Sequence, residues 1–254
     1  MAEHTFRTPD PIELDVRIPS GEIEIETVDG DESFVSVSGD ERLVEQTRVS
    51  LDGRRLVVEL RGKKPFGITI SIGDFSLGTG HRLSVKARIP HASAALLATA
   101  NADMRVRGRY ERLDVKSASG DLRVSGEIER DAVVKTVSGD VRIDRVGGEL
   151  RVNSVSGDVE VAAVGGSIES RTVSGDVRFD SVREGTVTVQ SVSGDIEVGI
   201  APGTSLDVDA GSVSGDLTSE VPLGSDPGEG HGSGPTLVLR GKTVSGDLKV
   251  FRAA

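Results

Sequence analysis

The sequence predicts an all-β protein, a parallel β-solenoid with coils of about 18 to 19 residues. Three observations predict it. The tripeptide Ser-Gly-Asp recurs at nearly constant spacing in the second half of the chain, the residues between its copies alternate between apolar and polar, and Gly is abundant at 32 of 254 residues. Aromatic residues make up only 3% of the chain, so large rings cannot dominate its core.

The repeat has a period that divides in two. Ser-Gly-Asp ends at Asp40, Asp121, Asp140, Asp158, Asp176, Asp195, Asp216 and Asp247, and from Asp121 onward the steps are 19, 18, 18, 19, 21 and 31 residues. Each coil contains two units of nine residues, for example SGDVRIDRV followed by GGELRVNSV. Each unit reads turn residues, apolar, polar, apolar, two polar or small residues, and apolar again, with Ser170 as an exception at an apolar position.

The apolar positions indicate short β-strands. The first two of a unit, such as Val141 and Ile143, are separated by one residue, and side chains of a strand alternate between its faces. The third, such as Val146 or Val155, is assigned to the same apolar set at the point where the chain begins to bend. A helix fits poorly, because β-branched residues crowd a helix and recurrent Gly destabilises it. Identical strands that each bury one face stack as solenoid coils, about 4.8 Å apart.

Ser-Gly-Asp is predicted to form one corner of each coil and Val-Gly-Gly the other. Glycine adopts the positive φ angles that tight corners often require, and Ser and Asp side chains accept hydrogen bonds from turn N–H groups. The predicted corner residues are Gly120 and Asp121, Gly139 and Asp140, Gly157 and Asp158, Gly175 and Asp176, Gly194 and Asp195, Gly215 and Asp216, and Gly246 and Asp247.

The outward positions support the stacking. After successive corners they read Arg142, Glu160, Arg178 and Glu197, and the second strand shows Arg151 followed by Glu169. In a parallel stack these opposite charges are neighbours, which is mildly favourable. A triangular coil is the alternative, since eighteen is also three sixes. The period of nine in the apolar positions favours two principal faces.

The sequence is interpreted as one domain, residues 1–254, without a clear linker. Residues 1–112 form an irregular β portion that includes hairpins, and residues 113–254 form the regular coils. The Gly-rich and Pro-rich segment 222–236 is predicted to be a loop inserted between the last two Ser-Gly-Asp corners.

Within the irregular portion, residues 42–60 and 66–90 are predicted to form longer strands, with turns at Asp52-Gly53 and Gly73-Asp74. The Pro-containing N-terminus and the tail FRAA are expected to cap the ends of the solenoid.

Composition narrows the possible partners. The formal net charge of −11 repels phosphate backbones, so we expect no nucleic-acid binding. The absence of Cys excludes disulfides and thiolate chemistry.

The N-terminus shows no apolar signal segment and no run of eighteen apolar residues occurs, so we expect a cytoplasmic protein without membrane insertion. No small-molecule substrate is evident.

The Asp column is the candidate site for chemistry. Asp140, Asp158, Asp176 and Asp195 are candidate Ca²⁺ ligands, as in nonapeptide β-rolls. The favoured interpretation is that these residues accept hydrogen bonds from turn N–H groups, because only one corner of each coil carries Asp. The four His residues are scattered, and no nucleophile elbow or base-paired Ser is visible. The sequence therefore predicts no catalytic residues, no bound metal and no cofactor.

The repeat resembles a bacterial and archaeal family named "putative adhesins", a domain of unknown function with β-strand repeats. The matching motifs are Val137-Ser138-Gly139-Asp140-Val141, Val155-Ser156-Gly157-Asp158-Val159, Val173-Ser174-Gly175-Asp176-Val177 and Val244-Ser245-Gly246-Asp247-Leu248, and the opening Leu14-Asp15-Val16 with Ser20-Gly21-Glu22-Ile23 is similar to the start of that domain. The resemblance spans nearly the whole chain and implies a repeat architecture without catalytic residues.

The favoured hypothesis is a non-enzymatic structural or interaction protein that presents flat charged faces to a protein partner or to copies of itself. A self-assembling filament that resembles the bactofilin type and a Ca²⁺-binding β-roll are the alternatives. An enzyme with its site in residues 1–112 is a fourth.

Overall fold

The computed structural model describes residues 1–61, 82–221 and 235–253. The strands are β1 (Ala2–Arg7), β2 (Glu13–Val28), β3 (Glu32–Gly39), β4 (Thr47–Asp52), β5 (Arg55–Leu60), β6 (Leu83–Pro90), β7 (Ser93–Ser119), β8 (Leu122–Ile128), β9 (Ala132–Lys135), β10 (Val141–Val146), β11 (Leu150–Asn153), β12 (Val159–Val164), β13 (Ile168–Arg171), β14 (Val177–Val182), β15 (Gly185–Gln190), β16 (Ile196–Ile200), β17 (Ser205–Ser214), β18 (Leu217–Ser219), β19 (Thr236–Ser245) and β20 (Leu248–Arg252), with one helix, α1 (Glu41–Gln46). Among these residues no helix has the length and hydrophobicity needed to cross a membrane.

The regular part is a parallel solenoid, which confirms the predicted fold class. Strands β8, β10, β12, β14 and β16 pair in that order as one face, here called face A. Strands β9, β11, β13 and β15 pair as the opposite face B. Equivalent apolar residues meet in register, as Val141 with Val159 and Leu150 with Ile168, and their side chains are buried. Each coil therefore has two principal strands, as the period of nine predicts.

A narrow third ladder lies at the Ser-Gly-Asp corner. There, Ser156, Ser174, Ser193 and Ser245 form single parallel bridges from coil to coil. This ladder is one residue wide, so the cross-section is two-faced with one flattened corner. A triangular coil would have a full third strand here, and at these levels the described residues form only these single bridges.

The N-terminal part joins the same stack through two long strands. β2 contributes residues 13–18 and 20–26, and both stretches pair in parallel with β7. Antiparallel strands complete this end, with β1 beside β3, β3 beside β6, and β4 beside β5. The β4–β5 hairpin turns at Asp52-Gly53, where Gly53 has φ of 57°. The predicted turn at Gly73-Asp74 lies outside the described residues.

Helix α1 is a difference from the prediction, which assigned residues 42–60 to strands. Asp40, the first Ser-Gly-Asp aspartate, accepts hydrogen bonds from the backbone N–H groups of Arg42 and Leu43 at 3.1 and 3.2 Å. It caps the helix and forms no corner of the solenoid. Leu43 and Val44 are the buried residues of the helix, so one turn buries the apolar pair that the prediction placed in a strand.

The last coils do not stack in chain order. β19 lies between β15 and β17, and β20 lies between β16 and β18. The chain passes over one level after β16, forms the terminal coil from β17 and β18, and then returns to fill the vacant level. The simple sequential stack expected from the repeat is therefore wrong for the last two coils.

Hydrophobicity explains this order. The inserted coil has four fully buried side chains, Leu237, Leu239, Leu248 and Val250. The terminal coil is more polar on its strands, and its Val213 and Leu217 remain 82% and 45% exposed. A coil at the end of a solenoid has only one neighbour, so the more polar segment loses less there than the apolar segment would.

The same order corrects the predicted place of the C-terminal tail. Phe251 and Arg252 of the tail FRAA belong to β20, which lies between β16 and β18, so the tail is not the last level of the stack. Of the predicted loop 222–236, residues 222–234 lie outside the described residues. Its last residue, Thr236, already pairs with Ser205 as part of β19.

Candidate functional site

The Asp residues of the corners lie in one row. Each backbone N–H donates to a carboxylate oxygen of the Asp on the preceding level, over 2.8 to 3.2 Å. In spatial order the row is Asp103, Asp121, Asp140, Asp158, Asp176, Asp195, Asp247 and Asp216, here called the Asp ladder. Each carboxylate except that of Asp216, the last of the row, thus satisfies an N–H group that strand pairing leaves free.

Asp103 is a member of this ladder that the tripeptide search missed. It stands in Asn101-Ala102-Asp103, and it accepts from Asp121 N at 3.2 Å. Its position, 18 residues before Asp121 and directly before an alternating strand, is the signal that could have found it. Below it, Glu22 of Ser20-Gly21-Glu22 pairs in register with Asp103.

Both the backbone conformation and the packing of the corners require glycine. At Gly157, φ is +112° and a Cβ atom would lie 2.4 Å from the carbonyl oxygen of Gly139 on the preceding level. The other Ser-Gly-Asp corners of the stack have the same close approach. Since stacked corners leave no room for a side chain, the repeat requires glycine at this position.

A Ser or Thr lies three residues before each of these glycines, and all of them except Ser212 in the terminal coil are buried. Thr136 Oγ1 donates to the carbonyl oxygen of Ser138 at 3.0 Å, and Ser154, Thr172 and Thr243 make the equivalent bond at 3.2 to 3.4 Å. Their side chains are buried. This row was not predicted, although every such corner is preceded by Ser or Thr at this position. At these levels it satisfies a corner carbonyl group from inside the coil, whereas the buried hydroxyl of Ser191 has no partner among the described residues.

The predicted Ca²⁺ ligands do line one corner, but the ladder already engages them. Asp140, Asp158, Asp176 and Asp195 each place one carboxylate oxygen on the next N–H group. Within residues 1–61, 82–221 and 235–253, no group of three or more His, Asp or Glu side chains has an arrangement that could hold a metal ion.

In the N-terminal part, a His, a hydroxyl and a carboxylate meet at one corner. His91 Nδ1 lies 2.8 Å from Thr27 Oγ1, and His91 Nε2 lies 3.5 Å from Asp29 Oδ1. Thr27 is buried, and its hydroxyl accepts a hydrogen bond from Arg109 N at 2.8 Å. The hydroxyl is therefore occupied and shielded, which fits a role in closing the corner better than a nucleophilic role.

Ion pairs cross the levels of both faces. On face A, Arg142 Nε lies 3.2 Å from Glu160 Oε2, and Arg178 pairs with Glu197. On face B, Arg151 Nε lies 3.6 Å from Glu169 Oε2. The charges predicted to be neighbours are neighbours. Exposed pairs of this kind contribute little stability each, on the order of 0–1 kcal/mol.

One part of face A departs from this alternation. Arg105, Arg123 and Arg142 stand directly beside one another on β7, β8 and β10, and they are here called the arginine column. Arg105 pairs with Glu22, and Arg142 pairs with Glu160. Arg123, the middle member, is exposed and has no hydrogen bond or ion pair with any residue that the structure describes.

A stripe of exposed valines runs along the Ser-Gly-Asp corner. Val137, Val155, Val173, Val192, Val244 and Val213 follow one another level by level, and they are here called the valine stripe. The sequence prediction placed Val155, Val173 and Val192 in the apolar set of the coil, and that is wrong, since they are 47 to 50% exposed. The prediction holds at the other corner, where Val146, Val164 and Val182 are buried. The buried hydroxyl before each valine takes the inward position, so the valine points out.

The sequence profile of Toastrack DUF4097 matches residues 11–251. The chain belongs to this family. Solved structures with the Toastrack-like fold include a "putative adhesin" from Bacteroides fragilis, with 12% identity, a TM-score of 0.56, and coverage of 98% of this chain and 96% of the other. A "putative adhesin" from Parabacteroides distasonis has 14% identity, a TM-score of 0.56 and the same coverage. A "putative lipid binding protein" from the same species has 12% identity, a TM-score of 0.52 and again the same coverage.

At these identities the likeness shows a shared fold. A comparison with curated proteins gave no match. The Toastrack assignment and the adhesin-named neighbours agree with the family resemblance of the Ser-Gly-Asp repeat and with its β-solenoid architecture.

Proposed function

We propose that this Toastrack protein is a non-enzymatic, adhesin-like scaffold, and that the arginine column on face A is where it binds a protein partner. The observation that carries the proposal is the stacking of Arg105, Arg123 and Arg142 without an acidic residue between them. The names of the neighbouring structures support an adhesin-like role.

The column is unfavourable for the isolated fold. Like charges directly opposite one another on adjacent strands are destabilising. On the following levels the chain avoids this cost, because Glu160 separates Arg142 from Arg178. Arg123 occupies the corresponding place between two arginines, where Glu would pair with both. A carboxylate supplied by a partner would relieve the repulsion.

Arginine also suits this use. Its planar guanidinium group binds carboxylates through two parallel hydrogen bonds, and Arg123 is exposed with its donors unused by the described residues. Strands hold the column at the spacing of a β-sheet, about 4.8 Å between levels. We therefore propose a protein partner with an acidic, extended segment.

The test compares two charge reversals with equal change in net charge. Arg123→Glu removes the centre of the column, and Arg240→Glu is the matched control, an exposed arginine of β19 on face B. Affinity-tagged protein is cross-linked in lysate of its native host, and captured proteins are quantified by mass spectrometry. We expect a set of proteins that the unmodified chain and Arg240→Glu capture equally and that Arg123→Glu loses.

Capture of the same set by Arg123→Glu contradicts the assignment of the column. An absence of any reproducible captured protein contradicts the scaffold role. Circular dichroism of both variants establishes that neither has lost the fold. The cytoplasmic location stays a prediction, which fractionation of the same cells would test.

A further inference from the structure

We propose that the valine stripe is the contact surface of a homodimer, in which two copies of the chain lie side by side with their solenoid axes parallel. This interface is at the Ser-Gly-Asp corner, whereas the arginine column lies on face A, and the inference does not depend on the proposed function.

The first argument is the inversion of polarity along the corner. At each level the inward residue is Ser or Thr and the outward residue is Val, as with Thr172 and Val173. The hydroxyl has a structural reason, since it binds a corner carbonyl oxygen. The exposed valine has none within the coil. Single exposed apolar residues are common on proteins, but a continuous row of them marks an interaction surface.

The second argument is the charge on either side of the stripe. The residues two positions before the valines point outward and pair in register from level to level. They are Lys135, Asn153, Arg171, Gln190 and Lys242. This basic column borders the stripe on face B. The Asp ladder borders it on the other side, three residues after each valine. The column on face B is basic at three of the six levels, Lys135, Arg171 and Lys242, and has no acidic residue, whereas every level has an Asp on the other side, so the two edges of the stripe differ in charge.

These two edges select one symmetry. A twofold axis parallel to the solenoid axis brings the basic column of one copy against the Asp ladder of the other, and every valine meets the same valine. A twofold axis perpendicular to the stripe reverses one copy end to end and places like columns against each other. The repeat of about 4.8 Å fits both arrangements, and only the parallel one is complementary in charge.

The size of the surface sets the expected strength. Six levels span about 24 Å, and a stripe this narrow buries less than the roughly 1,200–2,000 Å² of a stable complex. The net charge of −11 on each copy adds a long-range repulsion that salt screens. We therefore expect a weak dimer, in reversible exchange with monomer.

The first experiment measures self-association by sedimentation velocity over a concentration series at physiological salt. The variant replaces Val155, Val173 and Val192 by Thr, which keeps the β-branched shape and removes apolar surface. We expect the Kd of the dimer to increase at least about tenfold. Thr218→Ala, at an exposed outward position of β18, keeps the net charge and is the control, which should leave Kd unchanged. The triple variant retains the arginine column, which separates this proposal from the proposed function.

The second experiment determines the orientation, and it uses the absence of Cys in the chain. Val137→Cys and Val213→Cys stand at opposite ends of the stripe. In the parallel dimer each single variant forms a disulfide with its own copy under mild oxidation. In the reversed dimer neither does, and only a mixture of the two variants is cross-linked. Glu160→Cys, on face A, gives the background from random collision.

Three results would overturn the proposal. One is a chain that remains monomeric at the highest soluble concentration. Another is an association that the triple Val→Thr variant leaves unchanged, or one that grows without limit into polymers as end-to-end stacking would. The third is cross-linking only in the mixture of the two end variants. Thermal melting of each variant confirms that the fold is retained in every comparison.

Discussion

Replacement of Ser170 by Val should stabilise the protein. Ser170 lies on β13 at an inward position, fully buried, in register with Val152 on β11 and Val189 on β15. Its hydroxyl has no hydrogen-bond partner among the residues that the structure describes. The repeat supplies a valine on both neighbouring levels, so the backbone already fits this side chain at that place.

The magnitude follows from two contributions. A buried hydroxyl without a partner costs about 1–3 kcal/mol, which Ser170→Ala should largely recover. Burying the additional carbon groups of Val contributes about 0.8 kcal/mol each. Overpacking offsets part of this gain, since extra methyl groups in a tight core can cost about 1–3 kcal/mol. We expect the free energy of unfolding to rise by about 1 kcal/mol for Ser170→Ala and about 2 kcal/mol for Ser170→Val.

The assay is thermal unfolding by calorimetry together with urea titration. For a chain of this length, about 1 kcal/mol shifts Tm by about 2–4 °C, so Ser170→Val should melt about 4–8 °C higher. The matched control is Val124→Ser, which places a hydroxyl in the core on β8, two coils away from Ser170, and should lower Tm. If both Ser170 variants melt below the unmodified chain, the hydroxyl has a stabilising partner and the reasoning about this core position is wrong.

Three further predictions concern the corners, the faces and metal. Gly157→Ala should destabilise the chain by more than about 2 kcal/mol in the same urea titration, because φ is +112° and the new Cβ would lie 2.4 Å from Gly139 O. Gly211→Ala is the control, and it should be nearly neutral because its Cβ would lie in open space. A hydrogen bond from Lys86 lowers the pKa of Glu24 from its ordinary value of 4.5. The stability that this ionised side chain contributes is therefore fully present above pH 4.5, and it is lost as the pH falls through the lowered pKa. Glu24→Gln should flatten the acid limb of a Tm-against-pH curve, and an unchanged curve would contradict that assignment. Removal of Ca²⁺ by a chelator should leave the circular dichroism spectrum and Tm unchanged, and a lower Tm would favour the β-roll alternative.

The period of the sequence was sufficient to predict the fold class. Two apolar residues on one face of a short strand, repeated every nine residues, are compatible with few structures other than stacked coils. Val141, Ile143, Leu150 and Val152 are buried as the alternation predicts. The same alternation predicted the outward charges, including the pair Arg142 and Glu160.

The bends were harder to predict, because alternation stops there. Val146 and Val155 occupy the same place in the nine-residue unit, yet the first is buried and the second is 47% exposed. The two corners differ in their backbone path, and a hydrophobicity pattern does not contain that difference. The buried hydroxyl of Ser154 is the local feature that distinguishes them.

The order of the last coils required a comparison of segments rather than a search for a motif. Ser-Gly-Asp at Asp216 and at Asp247 looks the same, and chain order suggests that Asp216 follows Asp195 in the stack. The structure places Asp247 between them. The signal is that the segment that begins at Leu237 is more apolar than the segment of the terminal coil. This difference predicts the order only when it is known which level ends the stack, and the tertiary structure determines that.

The central claim is that corners stack level upon level, with the final segment inserted beneath the terminal coil. Paired cysteines at exposed corner serines test it most directly, since the chain has no other Cys. Ser193 with Ser245, and Ser245 with Ser214, occupy adjacent levels. Adjacent levels, about 4.8 Å apart, lie within the Cα separation that disulfides bridge, and two levels, about 9.6 Å, do not.

We predict intramolecular cross-links in the two adjacent pairs and none between Ser193→Cys and Ser214→Cys, as read from peptide mass spectra after mild oxidation. A cross-link between positions 193 and 214 without one between 193 and 245 would contradict the inserted order. Failure of all three pairs would contradict the stacking itself.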